Sequence, residues 1–277
     1  MPDLPYFDLL IDERQDGGET GQLWEHQVHW GYWDDPKAAD GSRADYLAAM
    51  EHMNGVLLEA GHVSDGQRLL DVGCGFGGTI QQINAGHSNM HLTGLNIDPR
   101  QLAAAEAQTT AANGNRIDWV EADALELPFD DNTFDRILAV ECIFHFASRE
   151  RFLAEAARVL KPGGYVAVSD FVPALAFFGK TPIWMAIRPR IAKSYGTLGN
   201  VPLRSYRSMG KRADMRLETN RNIRKNTLPT YPFLINFFRD EGSTDAQDTM
   251  IVGTRWIKWL SKIGFLQYRV YTFTKPA

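Results

Sequence analysis

The spacing of apolar residues changes period several times along this chain, and each change marks a predicted element. Residues 68–72 form a short aliphatic run ending in a glycine turn, which predicts a strand, and residues 79–85 then follow a helical period. Residues 90–97 predict a second strand, followed by an alanine-rich helix over 99–112 with Pro99 at its start. Further strands are expected over 117–121, 134–140 and 165–171, and a helix over 149–160 is stopped by Lys161-Pro162-Gly163-Gly164. Strands that alternate with helices imply an α/β fold, a parallel sheet covered on both faces.

The rest of the chain is less regular. Residues 172–200 and 224–248 read as loops, the second because Leu228-Pro229-Thr230-Tyr231-Pro232 cannot be continuous helix. Between them a helix is expected near 202–211 and a sixth strand over 215–223. Residues 249–263, with Trp256, Trp259, Leu260 and Ile263 on one side, predict a helix, and 265–274 a final strand. The first sixty residues, rich in Trp and Tyr, predict a helical cap. The expected organisation is a cap or lid over 1–60 and a core over 61–277, with insertions at about 172–200 and 224–248 forming a substrate lid.

Composition narrows the classes of partner. A chain of 277 residues, 44% hydrophobic and 23% charged, has ordinary globular make-up, and a formal charge of -5 lacks the basic excess of a nucleic-acid binder. Small molecules are the expected partners, and a homodimer is compatible with the sequence. Cys74 and Cys142, the only cysteines, sit in apolar surroundings without a His/Cys cluster, so neither a disulfide framework nor a metal site is expected. No basic stretch followed by an apolar run opens the chain, and the apolar run over 172–187 is broken by Lys180, so a cytoplasmic protein is expected. Residues 180–225 depart from this average, with twelve Lys and Arg against Asp214 and Glu218. A solvated charged face is one reading. An anionic substrate or a membrane surface is the other, since Trp184, Met185, Ile187 and Ile191 beside Arg188, Arg190 and Lys193 make an amphipathic stretch suited to a bilayer carrying an apolar substrate.

The turn in Leu70-Asp71-Val72-Gly73-Cys74-Gly75-Phe76-Gly77-Gly78 fits the place where open parallel sheets bind ligands, at the carboxyl ends of strands beside a helix N-terminus. Its spacing leaves two ligands open: Gly73, Gly75 and Gly78 match the dinucleotide pattern, and Gly73, Gly75 and Gly77 a second one. Asp71 favours a ligand carrying an ammonium group, because a carboxylate there would repel a pyrophosphate. Asn96 ends the second strand where an acidic residue commonly takes both ribose hydroxyls. Asp123, after the third strand, is placed to accept from an adenine amino group, with Leu125 beside the ring. Taken singly, Asn96 and Asp123 also fit residues that close turns.

Several motifs together resemble class I S-adenosylmethionine-dependent methyltransferases, in the small-molecule branch of ubiquinone- and tocopherol-type and sugar O-methyltransferases. The carriers are Asp71-Val72-Gly73-Cys74-Gly75, Gly94-Leu95-Asn96-Ile97-Asp98, Glu121-Ala122-Asp123-Ala124, Leu127-Pro128-Phe129, Val159-Leu160-Lys161-Pro162-Gly163-Gly164 and the terminal Lys275-Pro276. The resemblance implies a Rossmann-like, seven-stranded sheet of order 3-2-1-4-5-7-6 with the last strand antiparallel. It implies S-adenosylmethionine as cofactor, S-adenosylhomocysteine as product, and no metal. It implies that Asp71 and the backbone of Gly73, Cys74, Gly75 and Gly77 hold the methionine part, Asn96 with Ile97 and Gln101 the ribose side, Asp123 with Ala124 and Leu125 the adenine, and Glu141 the methionine end. His29-Trp30-Gly31-Tyr32-Trp33 resembles an aromatic lid motif, which implies Tyr32 and Trp33 near the cofactor; a core cluster is the competing reading.

Methyl transfer from a sulfonium is an in-line displacement, so the protein must place a nucleophile and exclude water. For a hydroxyl acceptor the resemblance implies His145 as general base, with Asp170 orienting its ring or binding a second hydroxyl. His145 between Phe144 and Phe146 also fits a core histidine. An acceptor that is a specialised metabolite or amphiphile methylated on oxygen is the first expectation. The alternatives are methylation at carbon of a prenyl or quinone-like acceptor assisted by Glu141, a nicotinamide oxidoreductase, and a non-catalytic binding protein.

Overall fold

A computed structural model describes residues 10–14, 16–174, 181–196, 205–240 and 244–277. The strands are β1 (Arg68–Val72), β2 (His91–Asn96), β3 (Arg116–Glu121), β4 (Phe134–Ala139), β5 (Leu160–Pro173), β6 (Arg216–Asn222) and β7 (Leu266–Thr274). They form one sheet of order β3-β2-β1-β4-β5-β7-β6, in which β7 alone runs against the others. The helices used below are α1 (Glu19–Leu23), α2 (Arg43–Ala60), α3 (Gly78–Gly86), α4 (Pro99–Gln108), α5 (Arg149–Val159), α6 (Pro182–Tyr195), α7 (Ser205–Arg212), α8 (Thr230–Asp240) and α9 (Asp245–Lys262).

The central strands are mainly apolar because both faces are buried. Leu69, Leu138, Ala167 and Val270 project into one core with Met53 and Leu57 of α2, while Leu70, Ile137, Val166 and Tyr271 project into the other with Phe152 of α5 and Met209 of α7. Local chemistry fixes where the helices begin. Ser42 and Ser148 accept from Asp45 N–H and Arg151 N–H, Asp98 precedes Pro99 at the start of α4, and Thr244 with Gln247 forms a capping box on α9. Each such cap contributes about 1 kcal/mol.

Both stretches expected as loops hold helices. Pro189 lies inside α6, where sequence reads a break, but Trp184, Ile187, Ile191 and Ser194 bury a continuous stripe that carries the helix past it. Pro232 falls in the first turn of α8, whose N–H groups have no partner within the helix in any case. The helix expected near 202–211 is α7; residues 202–204 lie outside the described residues. Lys161-Pro162-Gly163-Gly164 ends α5 as expected but belongs to β5, and Lys275 ties it down by donating to Leu160 O (2.8 Å) and Asn132 Oδ1 (2.7 Å).

Part of the basic segment has a local explanation. Arg216 and Arg221 stand on β6, an edge strand, where charged side chains discourage pairing with another chain. Arg221 also lies over the Tyr32 ring, 5.4 Å from its centroid, and Arg224 donates to the carbonyl of Ser261 at the end of α9. No helix among the described residues is long and apolar enough to cross a membrane.

Candidate active site

At the end of β1 the backbone turns through three glycines with left-handed φ, Gly73 (71°), Gly75 (55°) and Gly77 (83°), into α3. Two of them also lack room for a side chain: a Cβ on Gly73 would meet Cys142 Cβ at 2.5 Å, and one on Gly77 the Trp119 ring at 2.7 Å. Gly73 N–H and Cys74 N–H both donate to Leu95 O (2.7 and 3.1 Å), and Gln108 Nε2 donates to Phe76 O (2.6 Å). The loop is therefore anchored to β2 on one side and to α4 on the other.

Beside this loop, outside the carboxyl ends of β1 to β4, lies a cleft of about 360 Å³. Asp71, Gly73, Cys74, Gly75, Asn96, Ile97, Gln101, Asp123, Ala124, Leu125, Glu141 and His145 all line it. Asn96 donates to Gln101 Oε1 (2.7 Å), pairing the two amides at one end, and Asp123 Oδ1 accepts from Leu125 N–H (2.8 Å) in a tight turn that presents the following residues to the cleft. Gly77 is not in the lining; it caps α3 and packs on Trp119.

Tyr32, Trp33 and Asp170 lie elsewhere. Trp33 Nε1 donates to Asp45 Oδ2 (3.0 Å) and its ring stacks on Tyr46, while Tyr32 meets His52 edge to face, so both aromatics belong to the core under α2. The cleft is instead closed by the residues just before them, His26, Gln27, Val28 and His29. Of these only His29 belongs to the motif read from sequence. Asp170 is fully buried and accepts from Arg149 Nε (2.7 Å), Arg149 Nη2 (2.9 Å) and the Tyr206 hydroxyl. With both oxygens engaged it does not orient His145; a guanidinium at the start of α5 takes it instead, a partner 21 residues away that periodicity cannot reveal.

Burial governs the electrostatics of the cleft. Asp71 Oδ2 has no hydrogen-bond partner among the described residues, and desolvation pushes the carboxyl up to about 8. Glu141, at a left-handed φ of 49°, accepts from Trp30 N–H (2.8 Å) and from the Tyr268 hydroxyl, yet burial still raises it to about 8. His145, in the 3₁₀ turn Ile143–His145, is lowered to about 3, by burial first and by the charge of Arg149 second. Burial raises both Cys74 and Cys142, which keeps the thiols protonated.

A second chamber, of about 40 Å³, adjoins the first. Val28, His29, Glu141 and His145 line both. Its other walls are almost wholly apolar: Trp24, Trp30, Tyr46, Phe144, Phe171, Tyr195, Leu234, Met250 and Ile257. The helices hidden from sequence reading supply several of these, Tyr195 from α6 and Leu234 from α8.

Comparison with known proteins agrees with this geometry. Residues 70–168 match the family model described as a methyltransferase domain. The chain is 31% identical over 215 residues to 27-O-demethylrifamycin SV methyltransferase of Amycolatopsis mediterranei, covering 76% of this chain and 74% of that protein. It is 36% identical over 151 residues to methyltransferase GfsG of Streptomyces halstedii; there the match takes in 54% of this chain and only 52% of the relative. A structure described as a putative sarcosine dimethylglycine methyltransferase from Galdieria sulphuraria has the same fold, with a TM-score of 0.77 at 20% identity over 96% of this chain and 98% of that one. The chain belongs to the class I S-adenosylmethionine-dependent methyltransferases. The cleft fits that cofactor: the orphaned, buried Asp71 Oδ2 is an acceptor awaiting an ammonium donor, and a dinucleotide's pyrophosphate would meet the same carboxyl unfavourably.

Proposed function

We propose that the protein methylates a hydroxyl oxygen of an apolar small molecule whose reacting end enters the aromatic chamber. The observation that carries this reading is the shared wall: His145 and Glu141 line both the cofactor cleft and the chamber. Asp71 holds the ammonium end of the cofactor, Asn96 and Gln101 its ribose, and Ala124 and Leu125 with the Asp123 turn its base. Bound there, S-adenosylmethionine supplies an electrophilic methyl group on a sulfonium. His145, lowered to about 3, is neutral across the physiological range and has a lone pair to accept a proton. So weak a base takes the hydroxyl proton late, as the acceptor oxygen becomes acidic through bond formation. His26 to His29 and the aromatic walls exclude water, which would otherwise compete as acceptor.

One observation favours a second reading. Glu141, raised to about 8 and held by Trp30 and Tyr268, is poised near neutrality and suits assistance to methylation at carbon of a prenyl or quinone-like acceptor. Labelled methyl transfer to a panel of terpenoid alcohols, phenolic polyketides and prenylated quinols distinguishes the two. Under the first reading His145→Ala lowers turnover by roughly 10²–10⁴ while S-adenosylhomocysteine affinity stays within about threefold. Under the second, Glu141→Gln does so and His145→Ala does not. A wild-type protein that binds S-adenosylhomocysteine but labels no member of the panel refutes both.

A further inference from the structure

Helices α6 and α9 have a buried side and an exposed side of different character. On α6, Trp184, Ile187 and Ile191 point inward, which corrects the expectation that they meet a bilayer; Met185, Arg188, Arg190 and Lys193 point outward. On α9 the outward stripe is Val252, Arg255, Trp259 and Lys262, followed by Ile263 at its C-cap. Met185 is 68% exposed, Ile263 46%, Trp259 41% and Val252 41%; these four, with Leu47, are the large apolar side chains left exposed among the described residues.

The two stripes belong to one surface. Ser194, near the end of α6, donates to Thr249 O (2.7 Å) near the start of α9, and a Cβ on Gly253 would strike the same serine. At the other end Ala174, ahead of α6, donates to Phe265 O (2.9 Å), just past α9. The helices therefore run antiparallel, and Met185 lies toward the same end as Trp259 and Ile263. Arg188, Arg190, Arg255, Lys258 and Lys262 lie along the stretch that holds Met185, Trp259 and Ile263, with Lys193 beyond them beside the start of α9, and none of the six forms an ion pair with a described residue. The acidic groups of the two helices, Asp245 and Asp248, sit at the opposite end, at the start of α9.

We propose that this face docks peripherally on an anionic lipid bilayer, with Trp259, Ile263 and Met185 entering the headgroup region and the five cations beside them meeting lipid phosphates. Charge complementarity selects this occupant. A second copy whose twofold axis passed through the cationic end would set the cations against their own images, whereas a lipid surface presents phosphates to all of them. The inner sides of the same helices carry Tyr195, Met250 and Ile257 to the apolar chamber, so an apolar acceptor leaving the bilayer would have only about one helix diameter to cross.

Co-sedimentation of the full chain with vesicles tests this, using phosphatidylcholine alone and phosphatidylcholine with one third phosphatidylglycerol. Binding is expected to the anionic vesicles and to weaken as salt rises. Trp259→Asp with Ile263→Asp should lower the partition coefficient at least about tenfold, and Arg255→Glu with Lys262→Glu should remove the preference for anionic lipid. Unchanged near-ultraviolet circular dichroism confirms that the variants fold. No binding to either vesicle, binding of the Trp259 and Ile263 variant equal to wild type, or a dimer that this variant dissociates would each overturn the proposal. Neither cofactor nor acceptor is present in the assay, so its outcome is independent of whether methyl transfer is read correctly.

Discussion

Replacing Asp71 with Asn should make the cofactor-free protein more stable and the cofactor site nearly useless. In the folded chain this carboxyl is raised from 3.8 to about 8, by burial, so the folded state binds its proton more tightly than the unfolded state does. The cost of burial is absent below pH 3.8, grows as the pH rises to 8, and is constant above. At pH 7 the difference of roughly three units from the unfolded value corresponds to about 4 kcal/mol, and at pH 5 to about 2. The Asn amide and the protonated carboxyl are both neutral and short of hydrogen bonds, so that cost largely cancels and does not vary with pH. The net expectation is a gain of about 4 kcal/mol at pH 7 that falls to about 2 kcal/mol at pH 5. Urea denaturation of the two proteins at both pH values measures it, and calorimetry with S-adenosylhomocysteine should show affinity lower by about a hundredfold, the worth of one charge-assisted hydrogen bond. Equal stability at pH 7, or a difference that does not shrink toward pH 5, would refute the assignment of Asp71 as a desolvated carboxyl; unchanged affinity would refute its role in holding the ammonium.

Other expectations follow from the same structure. Because Asp71 must ionise to hold a cation, S-adenosylhomocysteine affinity should rise by about tenfold per pH unit between pH 6 and 8 and then level off; Asp71→Asn should flatten the profile in calorimetry, and Glu141→Gln should not. Arg149→Ala or Asp170→Ala strands a buried charge and should cost about 3–5 kcal/mol in denaturant unfolding, whereas replacing the pair together by Met and Leu should cost much less. Gly94→Ala puts a methyl group 2.4 Å from the Trp119 ring, which also supports Gly77, so a stability loss of about 1–3 kcal/mol should accompany weaker cofactor binding. Gly86→Ala, with nothing within 4 Å, should be neutral or slightly stabilising.

The sheet and the cofactor cleft were legible in sequence because their signals are local. Aliphatic runs such as 68–72 report burial on both faces, and Asp71 near the end of β1, Asn96 at the end of β2 and Asp123 just past β3 belong to strands whose ends all open on one edge. What was hidden depends on distant partners. Pro229 and Pro232 masked α8, and nothing local marked α6, which passes Pro189 on the strength of a stripe buried against distant elements. Asp170 read as a companion of His145 until Arg149 was found against it. Tyr32 and Trp33 lie only a few residues from the true cleft wall at His26 to His29, yet a chain that enters the core within those few residues gives no compositional sign of doing so.

The division of labour between the two chambers has a consequence for how such a protein changes its target. Apart from the N-terminal closing segment, the donor cleft is drawn from residues 71–147, one continuous stretch. The chamber beside it is assembled from scattered walls: Trp24, Trp30 and Tyr46 ahead of the sheet, and Tyr195, Leu234, Met250 and Ile257 after its first five strands. Selection on the acceptor can therefore act on one set of positions while the donor site stays intact. An engineer could recombine the flanking helices onto a fixed 68–173 scaffold and alter which molecule is methylated without rebuilding the methyl source.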